Sequence, residues 1–196
     1  NGAATQTITK AGGETFYNLT CAGGGTKMLG SSISVLNDLI ISSTLDASAS
    51  NFGITLTRNW TNNGAFTAQN GLVTLNGTAK QPIGGTSQTT FANLTLANAA
   101  GATLNTSGSL TNTLTISSGT FIVPGAQTFT LVSTATRTAR IAAIPGGSDY
   151  TGSIIMQRFL PSGPTDWRFL GSPVTGATIA QWSDDFATSG FTGATC

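Results

Sequence analysis

The chain repeats itself at a period of 75 residues. Shifted by that distance without a gap, residues 1–56 meet 76–131 with 21 identical pairs, where a composition this rich in threonine and glycine gives about a tenth by accident. Asn1-Gly2 falls on Asn76-Gly77, Gln6 and Ile8 on Gln81 and Ile83, and Thr15-Phe16-x-Asn18-Leu19-Thr20 on Thr90-Phe91-x-Asn93-Leu94-Thr95. Leu29 then meets Leu104, Asn37 meets Asn112, Leu39 and Ile41 meet Leu114 and Ile116, and Thr55-Leu56 meets Thr130-Leu131.

Within each unit the apolar residues alternate with polar ones over short runs, as in Thr7-Ile8-Thr9, Ile54-Thr55-Leu56, Leu72-Val73-Thr74-Leu75 and Phe129-Thr130-Leu131. Period-two runs bounded by Gly, Asn and Ser are half-buried strands, and no segment shows a helical period. Composition agrees: 35 Thr favour strands, while 25 Gly, 19 Ser and 13 Asn favour turns.

Two all-β architectures accept strand after strand with short connections: antiparallel β-sandwich repeats, and a parallel β-helix, or β-solenoid, in which each coil stacks on the last. The solenoid is the better fit, because a narrow coil interior needs only alternate inward Leu, Ile, Val or Phe. Coils of about 18 to 25 residues put three or four coils in each 75-residue unit and seven or eight in the chain. Asn18, Asn37, Asn93 and Asn112 then serve as turn formers or as amide ladders between coils.

The repeat fades after about residue 134, and prolines and tryptophans gather toward the C-terminus. The sequence divides into a solenoid over 1–148, with units 1–75 and 76–148, and a Trp-containing segment over 149–196 that is a cap or the start of a further module. Tyr150 to Leu160 reads as one longer strand.

Several function classes fall away. Eight Lys and Arg against seven Asp and Glu, with no basic cluster, leave no electrostatic footprint for nucleic acid. No apolar run is long enough to insert in a membrane. The chain has no histidine, which removes the commonest general base and zinc ligand. Cys21 and Cys196 allow one disulfide but no metal knuckle. No metal and no cofactor is expected.

The segments Asn59-Trp60-Thr61-Asn62-Asn63-Gly64, Leu72-Val73-Thr74-Leu75-Asn76-Gly77-Thr78 and Leu114-Thr115-Ile116-Ser117-Ser118-Gly119-Thr120, with Gln157-Arg158-Phe159-Leu160-Pro161 and Trp167-Arg168-Phe169-Leu170-Gly171-Ser172-Pro173-Val174, resemble the repeats of very large secreted surface proteins of Bacteroidetes. That resemblance implies export by the type IX route, an extracellular or cell-surface location, and an adhesive or structural role. The C-terminal sorting domain of that family has no counterpart here, which implies a fragment of a longer polypeptide.

The candidate sites are weak beside this architecture. Asp184-Asp185 is the only adjacent carboxylate pair, and neighbouring strand residues point to opposite faces. Trp167, Arg168, Phe169 and Trp182, with Arg137, Arg140, Arg158 and Tyr150, offer a glycan platform or an assembly surface, and Trp167 with Phe169 equally suits a cap over the last coil. Trp60 reads as a surface or corner residue, and Gly23-Gly24-Gly25-Thr26-Lys27 as a turn rather than a phosphate loop. Thr-x-Thr pairs such as Thr5-x-Thr7, Thr55-x-Thr57, Thr111-x-Thr113-x-Thr115 and Thr134-x-Thr136-x-Thr138 would suit ice only if they shared one flat face.

The expected protein is therefore non-enzymatic: a structural or adhesive solenoid that associates head to tail with itself or with further repeats. Surface glycans are possible partners. The alternative is a carbohydrate-binding or carbohydrate-cleaving β-helix.

Overall fold

The computed structural model describes residues 3–10 and 14–160. These residues form a parallel β-solenoid of about seven coils, with no helix. The first coil is β1 (Gln6–Ile8), β2 (Thr15–Phe16) and β3 (Leu19–Cys21); the second is β4 (Thr26–Leu29), β5 (Ile33–Val35) and β6 (Leu39–Ile41). The third is β7 (Thr44–Asp46), β8 (Ile54–Leu56) and β9 (Trp60–Asn62), and the fourth is β10 (Ala65–Thr67), β11 (Leu72–Leu75) and β12 (Gln81–Gly84). Above them follow β13 (Thr89–Ala97), β14 (Ala102–Leu104), β15 (Gly108–Ser118), β16 (Thr120–Val123), β17 (Phe129–Leu131), β18 (Arg140–Ile141), β19 (Asp149–Gly152) and β20 (Ile154–Met156).

Successive strands turn through three faces. Face A begins as the four-stranded sheet β1-β4-β7-β10, face B as β2-β5-β8-β11, and face C is the seven-stranded sheet β3-β6-β9-β12-β14-β16-β19. Above β10 the corner between faces A and B straightens. β13 and β15 each cross it as one strand, with a register irregularity in their pairing between Phe91 and Asn93. The first half of β13 continues face A, where the Phe91 ring lies 6.2 Å from that of Phe66 on β10. Its second half continues face B on β11. β17 and β20 then extend the first half of β15, and β18 stacks on its second half.

The period-two alternation sends every second residue inward, and parallel register puts like on like. Ile33, Ile54, Val73, Leu94, Leu114 and Ile141 form one inward column on face B, and Leu19, Leu39, Trp60, Ile83 and Leu104 form one on face C. Each such buried aliphatic side chain contributes about 1.5–3 kcal/mol. Where corners press one coil onto the next, only glycine fits. A Cβ on Gly85, at φ +123, would lie 2.0 Å from the Asn62 carbonyl oxygen, and one on Gly119, at φ +80, equally close to that of Asn98.

The 75-residue repeat is not a whole number of coils. Ile8 on face A answers to Ile83 on face C, Phe16 on face B to Phe91 on face A, and Leu19 on face C to Leu94 on face B. Counting β13 and β15 as two face segments each, the first unit is the eleven segments β1–β11 and the second the eleven of β12–β20. Eleven segments on three faces make three and two-thirds coils, so each unit starts one face away from the last. Three or four coils per unit was the sequence expectation, and the value lies between them because the triangular section makes the faces interchangeable.

β19 and β20 belong to the coils, and the compact unit that they close runs to Leu160. The single strand expected over Tyr150 to Leu160 is two, broken at Ser153 and carried on different faces. The antiparallel sandwich is excluded, since every pairing between named strands is parallel.

Candidate functional site

Trp167, Arg168, Phe169, Trp182, Asp184, Asp185 and Cys196 lie outside the described residues. Among the others, Tyr150, Arg140 and Arg137 lie at different places on the coils. Tyr150 is on face C, paired with the inward Phe121, and is the last rung of a core column. Arg140 is on face B, and Arg137 donates to Asn70 Oδ1 at 2.8 Å. The described carboxylates are likewise dispersed: Glu14 precedes β2, Asp38 precedes β6, Asp46 ends β7 and Asp149 opens β19. Among the described residues no cluster of three or more Cys, Asp and Glu forms a metal cage.

Trp60 corrects the sequence expectation. It is in the core at 1% exposure, 4.9 Å from Phe66 and 5.2 Å from Phe91 by ring centroid, and its Nε1–H donates to Thr89 Oγ1 at 3.0 Å. The alternation Trp60-Thr61-Asn62 concealed this, because the inward residue after Trp60 is polar. Asn62 is fully buried, donates to the Gln88 carbonyl and Thr89 Oγ1, and accepts from the Gly64 amide. Nearby, buried Gln81 donates to the Leu56 and Arg58 carbonyls at 3.0 Å and accepts from the Gly77 amide and Asn98 Nδ2. These satisfied amides sit where the second unit rests on the first. A buried amide with its partners in place costs little and fixes register.

Cys21 and Lys27 are a second surprise. Lys27 occupies an inward position between Gln6 and Leu45, and its Nζ donates to the Gly24 and Gly25 carbonyls. Gly23 to Gly25 thus form a bend, Thr26 and Lys27 already belong to β4, and the lysine folds back onto that bend. Burial pushes the Cys21 thiol up to about 11, against the opposing pull of Lys27.

The asparagine ladders are real. Asn37 Nδ2 donates to Asn18 Oδ1 at 2.9 Å, and in the second unit Asn112 Nδ2 donates to Asn93 Oδ1 at 2.7 Å. The Thr-x-Thr sets do not all share one face: Thr7 is on face A, Thr55 and Thr115 are on face B, and Thr134 to Thr138 lie between β17 and β18. What does align is one hydroxyl column on face B, Thr15, Ser34, Thr55, Thr74, Thr95 and Thr115.

The open groove of about 530 Å³ at the corner between faces C and A is lined by Ala3, Thr5, Gly23, Gly25, Thr26, Ser43, Thr44, Gly64 and Ala65, with no ionisable group. The features that remain are the two ends of the stack. At one end Ile8, Phe16 and Leu19 are the first inward rungs and only partly buried. At the other, Tyr150 is 39% and Met156 45% exposed, whereas Phe121 and Leu131 beneath them are 0% and 1%. Among the described strands none pairs with the outer edge of β1, β2 or β3, or with that of β18, β19 or β20.

The described residues define a three-faced parallel β-solenoid. Comparisons with protein-family models, curated proteins and solved structures found no match to the chain.

Proposed function

We propose that the protein is an extracellular, non-enzymatic structural or adhesive module, a stiff rod segment that assembles end to end into a filament or forms the stalk of a large cell-surface adhesin. The observation that carries this reading is the pair of ends, each offering strand edges and an apolar inward row in the geometry of one more coil. Stability in such a rod is a sum of coil-on-coil contacts, so length is added without redesigning a core. The resemblance to secreted Bacteroidetes repeat proteins supports the location and the adhesive role.

Negative-stain electron microscopy of the native material, beside an intact mass, tests this. Filaments, or rods in a chain heavier than 19.8 kDa, are expected. Isolated compact particles of that mass at high concentration contradict it.

A further inference from the structure

The chain already contains one unit-on-unit junction, and it specifies how another copy docks. The last three segments of the first unit, β9, β10 and β11, carry the first three of the second: β12 on β9, the first half of β13 above β10, and its second half on β11. By unit position, β18, β19 and β20 are the counterparts of β9, β10 and β11, while β1, β2 and β3 are the counterparts of β12 and the two halves of β13.

We propose that a second copy of this chain is the partner of the C-terminal end of the coils, with its β1 on β18, its β2 on β19 and its β3 on β20. This rests on the stacking function above and adds its rotation: the incoming face A lies over face B, so each copy is turned by one face.

The side chains at both ends fit that docking. Ile8 comes onto Ile141, Phe16 onto Tyr150 and Leu19 onto Ile154, each an inward residue left partly exposed within one copy. Phe16 on Tyr150 repeats Phe91 on Phe66 in the internal junction, where the rings are 6.2 Å apart. Gln6, exposed on β1, is the counterpart of Gln81, which at the internal junction reaches down to two carbonyls of the unit below. An exposed copy of a residue that is buried and four-fold bonded at the existing junction is what an unfilled junction looks like. Burial of these rungs supplies the driving force.

Three double variants in a Cys21→Ala/Cys196→Ser background distinguish the three ways one triangular end can sit on another. Phe16→Cys/Tyr150→Cys bridges copies in the docking proposed, Leu19→Cys/Tyr150→Cys in an unrotated stack, and Ile8→Cys/Tyr150→Cys in the third setting. Under mild oxidation, a ladder of covalent oligomers is expected from the first at least tenfold above the other two. A ladder from either of the others overturns the docking and leaves end-to-end assembly intact. No ladder from any of them, with monomers in sedimentation of the unmodified chain, overturns both. Helical analysis of wild-type filaments checks the same point without variants: the seven and one-third coils of the described residues give a rise of about 35 Å with a one-third turn, and a stack without that one-third turn contradicts it.

Discussion

The two units follow one strand order and differ in how completely they have become core. In the first, the corner between β2 and β3 is a real bend, with Tyr17 69% exposed upon it; in the second, the same stretch is the continuous strand β13, and buried Ala92 replaces the tyrosine. Cys21 and Lys27 of the first unit are answered by Leu96 and Ala102, both fully buried. The amide pairs differ in the same sense, the Asn93–Asn112 rung being shorter and more buried than Asn18–Asn37. The strand plan tolerates a bend, a cation or a thiol, provided that every third segment returns to its column. Closer burial belongs to the later unit at these shared positions, while register belongs to both.

The largest effect is expected at the junction that joins them. Trp60→Ala removes the centre of the Trp60, Phe66 and Phe91 cluster together with the bond to Thr89, and is expected to cost about 3–5 kcal/mol in urea unfolding and to split one transition into two. A loss below about 1 kcal/mol would place Trp60 outside the core.

Gln81→Ala strands the Arg58 carbonyl and the Gly77 amide and leaves the Leu56 carbonyl and the Asn98 side chain with one partner fewer, and a loss of about 2–3 kcal/mol is expected. Gln6→Ala, at the exposed counterpart, is expected to leave the isolated chain within about 0.5 kcal/mol. Equal losses at the two positions would erase the contrast between a filled and an unfilled junction.

The ladders sharpen the comparison more finely. Asn112→Ala should cost about 1 kcal/mol and Asn37→Ala about half as much, measured by thermal unfolding side by side. The reverse order would show that burial of the rung does not govern its worth.

Lys27→Met is expected to shift stability at neutral pH by no more than about 1 kcal/mol and in the stabilising direction, because an apolar side chain holds the same position in the second unit. The Cys21 thiol adds a pH signature. Its folded pKa is raised from 9.0 to about 11, so its contribution is present below the ordinary thiol value and lost as the pH climbs through 11. Wild type minus Cys21→Ala should therefore lose stability across that window, and a flat difference from pH 9 to 11 would contradict burial of the thiol.

How much of this was legible beforehand follows from the same residues. Strands and solenoid were readable because Ile54-Thr55-Leu56 and its kin alternate cleanly, whereas the recurrence of Asn18 and Asn37 at Asn93 and Asn112 left turn formers and rungs both open. The fractional coil number was not, since coil length varies with the corner: 18 residues separate Lys27 from Leu45 on one face, and 23 separate Trp60 from Ile83 on another. Even the gapless match slips once inside the repeat: inward Leu45 falls on outward Thr120, and Phe121 takes the core position. Inward Lys27, Asn62 and Gln81 escaped notice because a buried polar residue breaks the alternation that reveals a strand. End surfaces have no sequence motif at all, being ordinary rungs that lack a neighbour.

The central claim, that one repeat advances the chain by three and two-thirds coils, is most directly tested on the face B hydroxyl column. Thr15, Ser34, Thr55 and Thr74 climb it in register, and the structure places Thr95, the counterpart of Thr20, next. A repeat of whole coils would instead place Thr90, the counterpart of Thr15, at that point. Oxidative trapping of Thr74→Cys with Thr95→Cys, against Thr74→Cys with Thr90→Cys, is therefore expected to give an intramolecular disulfide in the first variant alone, and rapid bridging in the second alone would contradict the account.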